Sequence, residues 1–250
     1  MLNLITQANN IWAIYHQQET YNSKLVGWKV LLLRKLRKYL SEYKLKQHKY
    51  GLTKEDEKQL IESINYELNQ DSLKMKRFLK EHLIITYKKS WKEAEKNIQE
   101  AEQQPSDDEI EKIVTKVWVG NKNFQQRQDV NTDKISDRLK KIFLDPHLSL
   151  EQKQAEMEKE MTSFYNMNHR LMRTETIHII NEANVDCMKK SGIYQVMWVT
   201  ADDERVCPVC NSRDRHIYSI DMIPNYPDHP NCRCVLIGYK KFDENKIDNL

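Results

Sequence analysis

Cys207, Cys210, His229 and Cys232 form two ligand pairs of the same internal spacing. The run is Cys207-Pro-Val-Cys210, then 18 residues, then His229-Pro-Asn-Cys232, with Cys234 two positions further on. A C-x2-C pair followed within about 15–20 residues by a second pair is the spacing of a zinc site. Zinc takes four soft or borderline ligands in a tetrahedron, and two close pairs on two turns supply them. Pro208 and Pro230 keep those turns tight. A segment of about 45 residues buries too little apolar surface to be stable alone. A structural metal site contributes on the order of 10 kcal/mol, enough to decide whether such a segment folds. Cys207, Cys210, His229 and Cys232 are therefore assigned to a structural Zn²⁺, and four protein ligands leave no open position for catalysis. Cys234 is the alternate ligand. In an extended strand it and Cys232 point to opposite faces, and the repeated x2 spacing favours Cys232. Cys187, apart from the clip, reads as a small buried apolar residue.

The rest of the chain reads as long helices. Only 5 of 250 residues are Gly, 31% are charged and 39% hydrophobic, a balance that suits helices with a modest core better than turn-rich β structure. Val26, Val30, Leu33, Leu36, Leu40 and Tyr43 step by three and four and predict one apolar stripe. Gly51 closes that helix, and Thr53 with Asp56 opens the next over about 54–69. A third helix is expected from Ser72 to Gln104, with Leu79, Leu83, Tyr87 and Trp91 inward and Pro105 as its stop. Ser106-Asp-Asp-Glu109 opens a fourth. After Asp145-Pro146, Ser149-Leu-Glu-Gln152 starts a long helix to about Lys190, ended by Gly192. Beyond Gly192 the composition changes. Four of the six Pro lie between 208 and 230, and Ile193–Thr200, Ile217–Ile220 and Val235–Tyr239 read as short strands. The expected fold is mainly α, with a helical N-terminal region over 1–160 and a small zinc-stapled α+β module over 161–250.

Net charge is only +3, but residues 1–50 carry nine Lys/Arg against Glu19 and Glu42, a local net of +7. The basic arm at 24–49, with Arg34, Lys35, Arg37 and Lys38 off the apolar stripe, suits nucleic acid or an acidic protein surface. The alternative is a solvated helix face. The first apolar stretch is interrupted by Gln7, Asn9 and Asn10 and lacks a cationic lead, so no signal peptide is expected. No apolar run reaches 18 residues, so no membrane span is expected.

Arg173-Thr-Glu175, Asn181 or Asn184, Gly192, Trp198, Asp203, Arg205, Cys207, Cys210 and the His229-Pro-Asn-Cys-Arg-Cys234 ending resemble the phage head morphogenesis family of minor head, Mu F-like proteins. The resemblance covers about 165–240. The segment Asn211–His216 departs from it in lacking a Gly after the second Cys. The resemblance implies a minor structural component of a tailed-phage virion, inside the head near the portal, assisting assembly, DNA packaging or DNA delivery. Its implied partners are the portal, other virion proteins and packaged DNA, with host cytoplasm as its location during assembly and no membrane in the finished head.

Two enzyme classes stand beside that structural reading. Arg173 and Glu175 on one helix invite comparison with ADP-ribosyltransferases, whose chemistry uses an Arg and a Glu around a nicotinamide ribose. The plainer reading is a buried ion pair tying the long helix to the zinc module. Asp228-His229 beside a Cys pair is similar to HNH nucleases, but no His follows 229 to complete such a site.

Overall fold

Steps of three and four between apolar residues produce helices through most of the chain. The computed structural model describes residues 2–17, 19–51, 53–96, 98 and 103–239. In order these form α1 (Leu2–His16), α2 (Glu19–Tyr50), α3 (Lys54–Glu95), α4 (Asp107–Thr115), α5 (Phe124–Leu144), α6 (Leu150–Lys190), β1 (Gln195–Val199), α7 (Pro208–Ser212), β2 (Ile217–Ser219), a 3₁₀ turn (Ile220–Met222) and β3 (Val235–Gly238). The fold is mainly α with a small C-terminal three-stranded sheet, as the composition predicts. Among the described residues no helix is long and apolar enough to cross a membrane.

Capping follows the sequence closely. Thr53 and Asp56 exchange bonds at the start of α3, with Thr53 N donating to Asp56 Oδ2 at 3.0 Å and Asp56 N to Thr53 Oγ1 at 3.2 Å. Ser106 and Glu109 do the same for α4, and Ser149 and Gln152 for α6. Two expectations fail. The break near residue 70 is absent, because α3 runs through it. Asp71 and Ser72 do not cap a new helix. They are buried, Asp71 accepting from Tyr165 Oη and Ser72 Oγ accepting from Thr132 Oγ1 at 2.9 Å. Conversely, the helix opened at Ser106 stops at Thr115. Gly120 adopts φ +63, and Asn123 with Gln126 forms a second capping box that starts α5.

The α2 stripe is also shifted. Leu25, Leu32, Leu33, Leu36, Leu40 and Tyr43 are buried, whereas Val26 and Val30 are exposed. At about 100° per residue, Val26 and Val30 lie roughly 80° and 120° round the helix from Leu36, too far to share its core face.

The chain packs as two compact units. One comprises Glu19–His82 and Thr115–Met172. Its core takes Leu36 and Leu40 from α2, Ile64 and Leu68 from α3, Ile135 and Leu139 from α5, and Met161 and Phe164 from α6. Buried and half-buried polar pairs set the register of these helices. Besides the Asp71 and Ser72 bonds, Ser136 Oγ donates to Asn65 Oδ1 at 2.6 Å and Asn131 Nδ2 to Asn168 Oδ1 at 3.0 Å. A buried polar group without its partner costs more than the bond contributes, so such pairs select one alignment.

The other unit comprises Met1–Gln18, Leu83–Val114 and Arg173–Leu250. Its sheet is antiparallel in the order β2-β1-β3, with Val196 opposite both Tyr218 and Gly238. Because side chains alternate along β1, Val196 and Trp198 face Met188, Cys210, Cys232 and Ile220. Met197 and Val199 face Ala8, Ile11 and Tyr15 of α1 and Ile177 and Ile180 of α6. Gly192, at φ +70, ends α6 as expected. Its N–H bonds the Lys189 carbonyl and that of Ile193 the Met188 carbonyl, a Schellman turn that delivers the chain into β1.

Candidate metal centre

Short turns, not strands, hold the thiols. Cys207 caps α7 at its N-terminus, accepting at Sγ from the Cys210 N–H at 3.3 Å, and Pro208 fills the first helical position where no N–H is needed. One helical turn thus points both sulfurs the same way. On the second arm the Cys232 N–H bonds the His229 carbonyl at 3.1 Å, and Asn231 takes a positive φ of 62°. This turn brings the second pair to the first.

The distances are those of a ligand cluster. Cys207 Sγ and Cys210 Sγ lie 3.2 and 3.3 Å from His229 Nε2, and Cys210 Sγ lies 3.8 Å from Cys232 Sγ. Bond lengths of about 2.3 Å to sulfur and about 2.0 Å to nitrogen put two tetrahedral thiolates about 3.8 Å apart. The same lengths put a thiolate and an imidazole nitrogen about 3.6 Å apart. Cys207, Cys210 and His229 come together, Cys232 joins them through Cys210, and soft donors so placed could hold a metal ion. A metal ion held there would cross-link the two turns.

Two donor triads are present among the described residues, Cys207/Cys210/His229 and Cys210/Cys232/Cys234, each with its ligand atoms within 4.8 Å of one another. Cys234 therefore turns toward Cys210 along with Cys232. The alternation expected of a strand does not apply, because β3 begins only at Val235. Burial and the neighbouring Cys232 push the Cys210 thiol up to about 12. Donation from Cys234 holds Cys232 down to about 6. Cys187 is buried in α6 and belongs to neither triad.

Residues far away in the chain position this centre. On α6, Asn181 Nδ2 donates to the Cys234 carbonyl at 2.9 Å while its Oδ1 accepts from Leu236 N at 2.9 Å. Asn184 Nδ2 reaches the Leu236 carbonyl at 3.3 Å, and Thr174 Oγ1 accepts from Asn231 N at 3.1 Å. The two Asn side chains imitate a neighbouring strand on the β3 edge. Trp12 Nε1 of α1 donates to the Arg233 carbonyl at 3.0 Å. Arg233 grips Asp203 through both guanidinium nitrogens and holds its carboxyl below the usual carboxylate range. Arg213 pairs with Asp228 at 2.9 Å and lies over the Trp198 ring.

Residues 133–237 match the family model for phage Mu protein F like protein. This region is similar to phage Mu F-like proteins. No curated protein and no solved structure matches the chain. The Mu F-like region starts within α5 and ends in β3, so it contains both ligand pairs, β1, β2, most of β3 and the asparagine clamps of α6.

The other sequence-derived candidates sit as follows. Arg173 is half-buried on α6 and donates from Nε to the Tyr15 hydroxyl at 3.2 Å. Glu175 is 1% exposed. His229 turns Nε2 to two sulfurs, the posture of a ligand. On α2, Lys35 pairs with Glu67 at 2.7 Å and Arg37 with Glu158 at 2.8 Å, while Lys38 lies 3.8 Å from Glu42. Arg34 is exposed. Sequence reading missed Trp12 altogether and gave Thr174 no role of its own. It singled out Asn181 and Asn184 only by resemblance, since their role appears when β3 is laid beside α6.

Proposed function

We propose that this chain is a minor head protein of a tailed bacteriophage, standing inside the head near the portal and assisting head assembly, DNA packaging or DNA delivery. The observation that carries the reading is the Mu F-like match, which runs across the complete ligand cluster and the α6 residues that clamp it. The ligand cluster acts as a structural zinc site. It is enclosed by protein donors, and its surroundings are backbone clamps and ion pairs rather than groups poised for proton transfer. The portal and neighbouring virion proteins are the partners this reading assigns.

Quantitative mass spectrometry of purified virions, from a phage encoding this chain, tests it. The expected result is a few copies per particle, fewer than the major capsid protein, and retained with the portal after the shell is opened. Disrupting the gene should reduce the yield of filled heads, with recovery on complementation. Absence of the chain from virions, together with normal heads when the gene is disrupted, overturns the reading. The ADP-ribosyltransferase alternative has its own test, since it requires NAD turnover that disappears in Glu175→Gln.

A further inference from the structure

We infer that the outward face of α2 is a docking surface for an acidic amphipathic helix of another protein. Four of the large apolar side chains left exposed lie on this one helix: Val26 at 60%, Val30 at 59%, Leu31 at 57% and Leu45 at 59%. At about 100° per residue, Gly27, Leu31, Arg34, Lys38 and Leu45 fall within roughly 60° of arc, with Val30 roughly 40° beyond its edge and Val26 roughly 80° beyond it. Exposed apolar residues gathered on one face, rather than scattered singly, mark an interaction surface.

Gly27 is an independent sign. Glycine inside a helix is unfavourable relative to alanine, and a Cβ there would meet nothing within 4 Å. Packing among the described residues does not require it. A bare backbone on the exposed face instead lets a second helix approach closely.

The charge pattern selects the partner. Four of the nine cations of α2 are already held inside their own unit: Lys35 by Glu67, Arg37 by Glu158, Lys44 by Glu151 and Lys46 by Asp56. Arg34, without a carboxylate partner among the described residues, and Lys38, only 3.8 Å from Glu42, remain to face outward beside the apolar patch. Carboxylates bordering an apolar helical stripe complement that arrangement. A second copy of this chain does not. An antiparallel α2 laid over Gly27 and Leu31 sets Arg34 against Lys24, and one centred on Arg34 sets it against itself. DNA is a poorer fit, since phosphates recruit cations without rewarding exposed valine and leucine.

The test uses the full chain and a fluorescent helical peptide of about 20 residues. The peptide carries leucines at spacings of three and four bordered by glutamates, and binding is read by anisotropy at about 0.1 M salt. Binding on the order of 10 µM is expected. Val30→Ser with Leu31→Ser weakens it about tenfold or more, and so does Arg34→Glu with Lys38→Glu. The charge-reversed protein regains affinity for a peptide whose glutamates are replaced by lysines. Gly27→Ala keeps or raises helix content by circular dichroism and still weakens binding. Failure of the peptide to bind at about 1 mM overturns the inference. So does indifference to both double variants. Tighter binding of duplex DNA that depends on Arg34 and Lys38 but not on Leu31 would assign the face to nucleic acid instead. A dimer in sedimentation that Leu31→Ser dissolves would assign it to a second copy.

Discussion

Cys210 belongs to both donor triads, while each of its neighbours belongs to one. Its loss should therefore be the most damaging single change at the centre. One zinc per chain is expected in freshly reduced protein by elemental analysis. Cys210→Ser should abolish it, and Cys234→Ser should leave most of it in place. If Cys234→Ser releases zinc as completely as Cys210→Ser, the fourth ligand is Cys234 and not Cys232. At this scale the spacing of the ligands was legible because zinc geometry leaves few arrangements for four donors on two turns. The choice between Cys232 and Cys234 was not, because it depends on where β3 begins. That boundary follows from Asn181 and Asn184 on α6, more than 50 positions away in sequence.

Helix starts at α3, α4 and α6 were readable from three-residue boxes, since capping is a local exchange between a side chain and the nearest backbone. Asp56 gives this a pH signature. Bonds from the Thr53 hydroxyl and N–H, with Lys46 beside them, hold its carboxyl down to about 2 from 3.8. A depressed carboxylate contributes stability that is present above its unfolded value and is lost as pH falls through its folded one. Amide exchange in the first turn of α3 should therefore stay slow above about pH 4 and accelerate toward pH 2. In Asp56→Asn it should be fast throughout, apart from the ordinary intrinsic dependence. Helix α1 makes the opposite point. Nothing local shows that it completes the sheet's second face, yet Ile11 is buried against Val235, Ile237 and Ile177. Ile11→Ala should cost about 2–5 kcal/mol in the unit that holds the sheet. Denaturant unfolding followed by the Trp198 signal measures it, and a change below about 1 kcal/mol would mean that α1 is an accessory.

Across the whole molecule, the ligand cluster lies in the unit built from Met1–Gln18, Leu83–Val114 and Arg173–Leu250, and none of its donors lies in the other. Chelation should consequently have a regional effect. After metal removal, amide protection over residues 195–239 should collapse, while 54–82 and 124–172 remain protected by their own apolar core. Readdition of zinc should restore the lost protection. Uniform loss over the whole chain would show that both units depend on the metal, and no loss would show that the sheet stands on its hydrophobic faces alone.

Local rules were enough for helix content, three of the caps, the Gly192 stop, the three strands and the meeting of the Cys207/Cys210 pair with His229. Each of these follows from short-range backbone chemistry or from a ligand geometry with few solutions. Tertiary structure alone decided the rest. It carried α3 through residue 70, because Asp71 and Ser72 found partners on α6 and α5 instead of capping a new helix. It turned Val26 and Val30 outward, because the core selects one arc of a helix that offers apolar residues on several. It also directed much of the basic charge of α2 to carboxylates on α3 and α6. Net charge along a chain is a sum over residues, whereas its availability to a partner depends on which acids the fold places beside it.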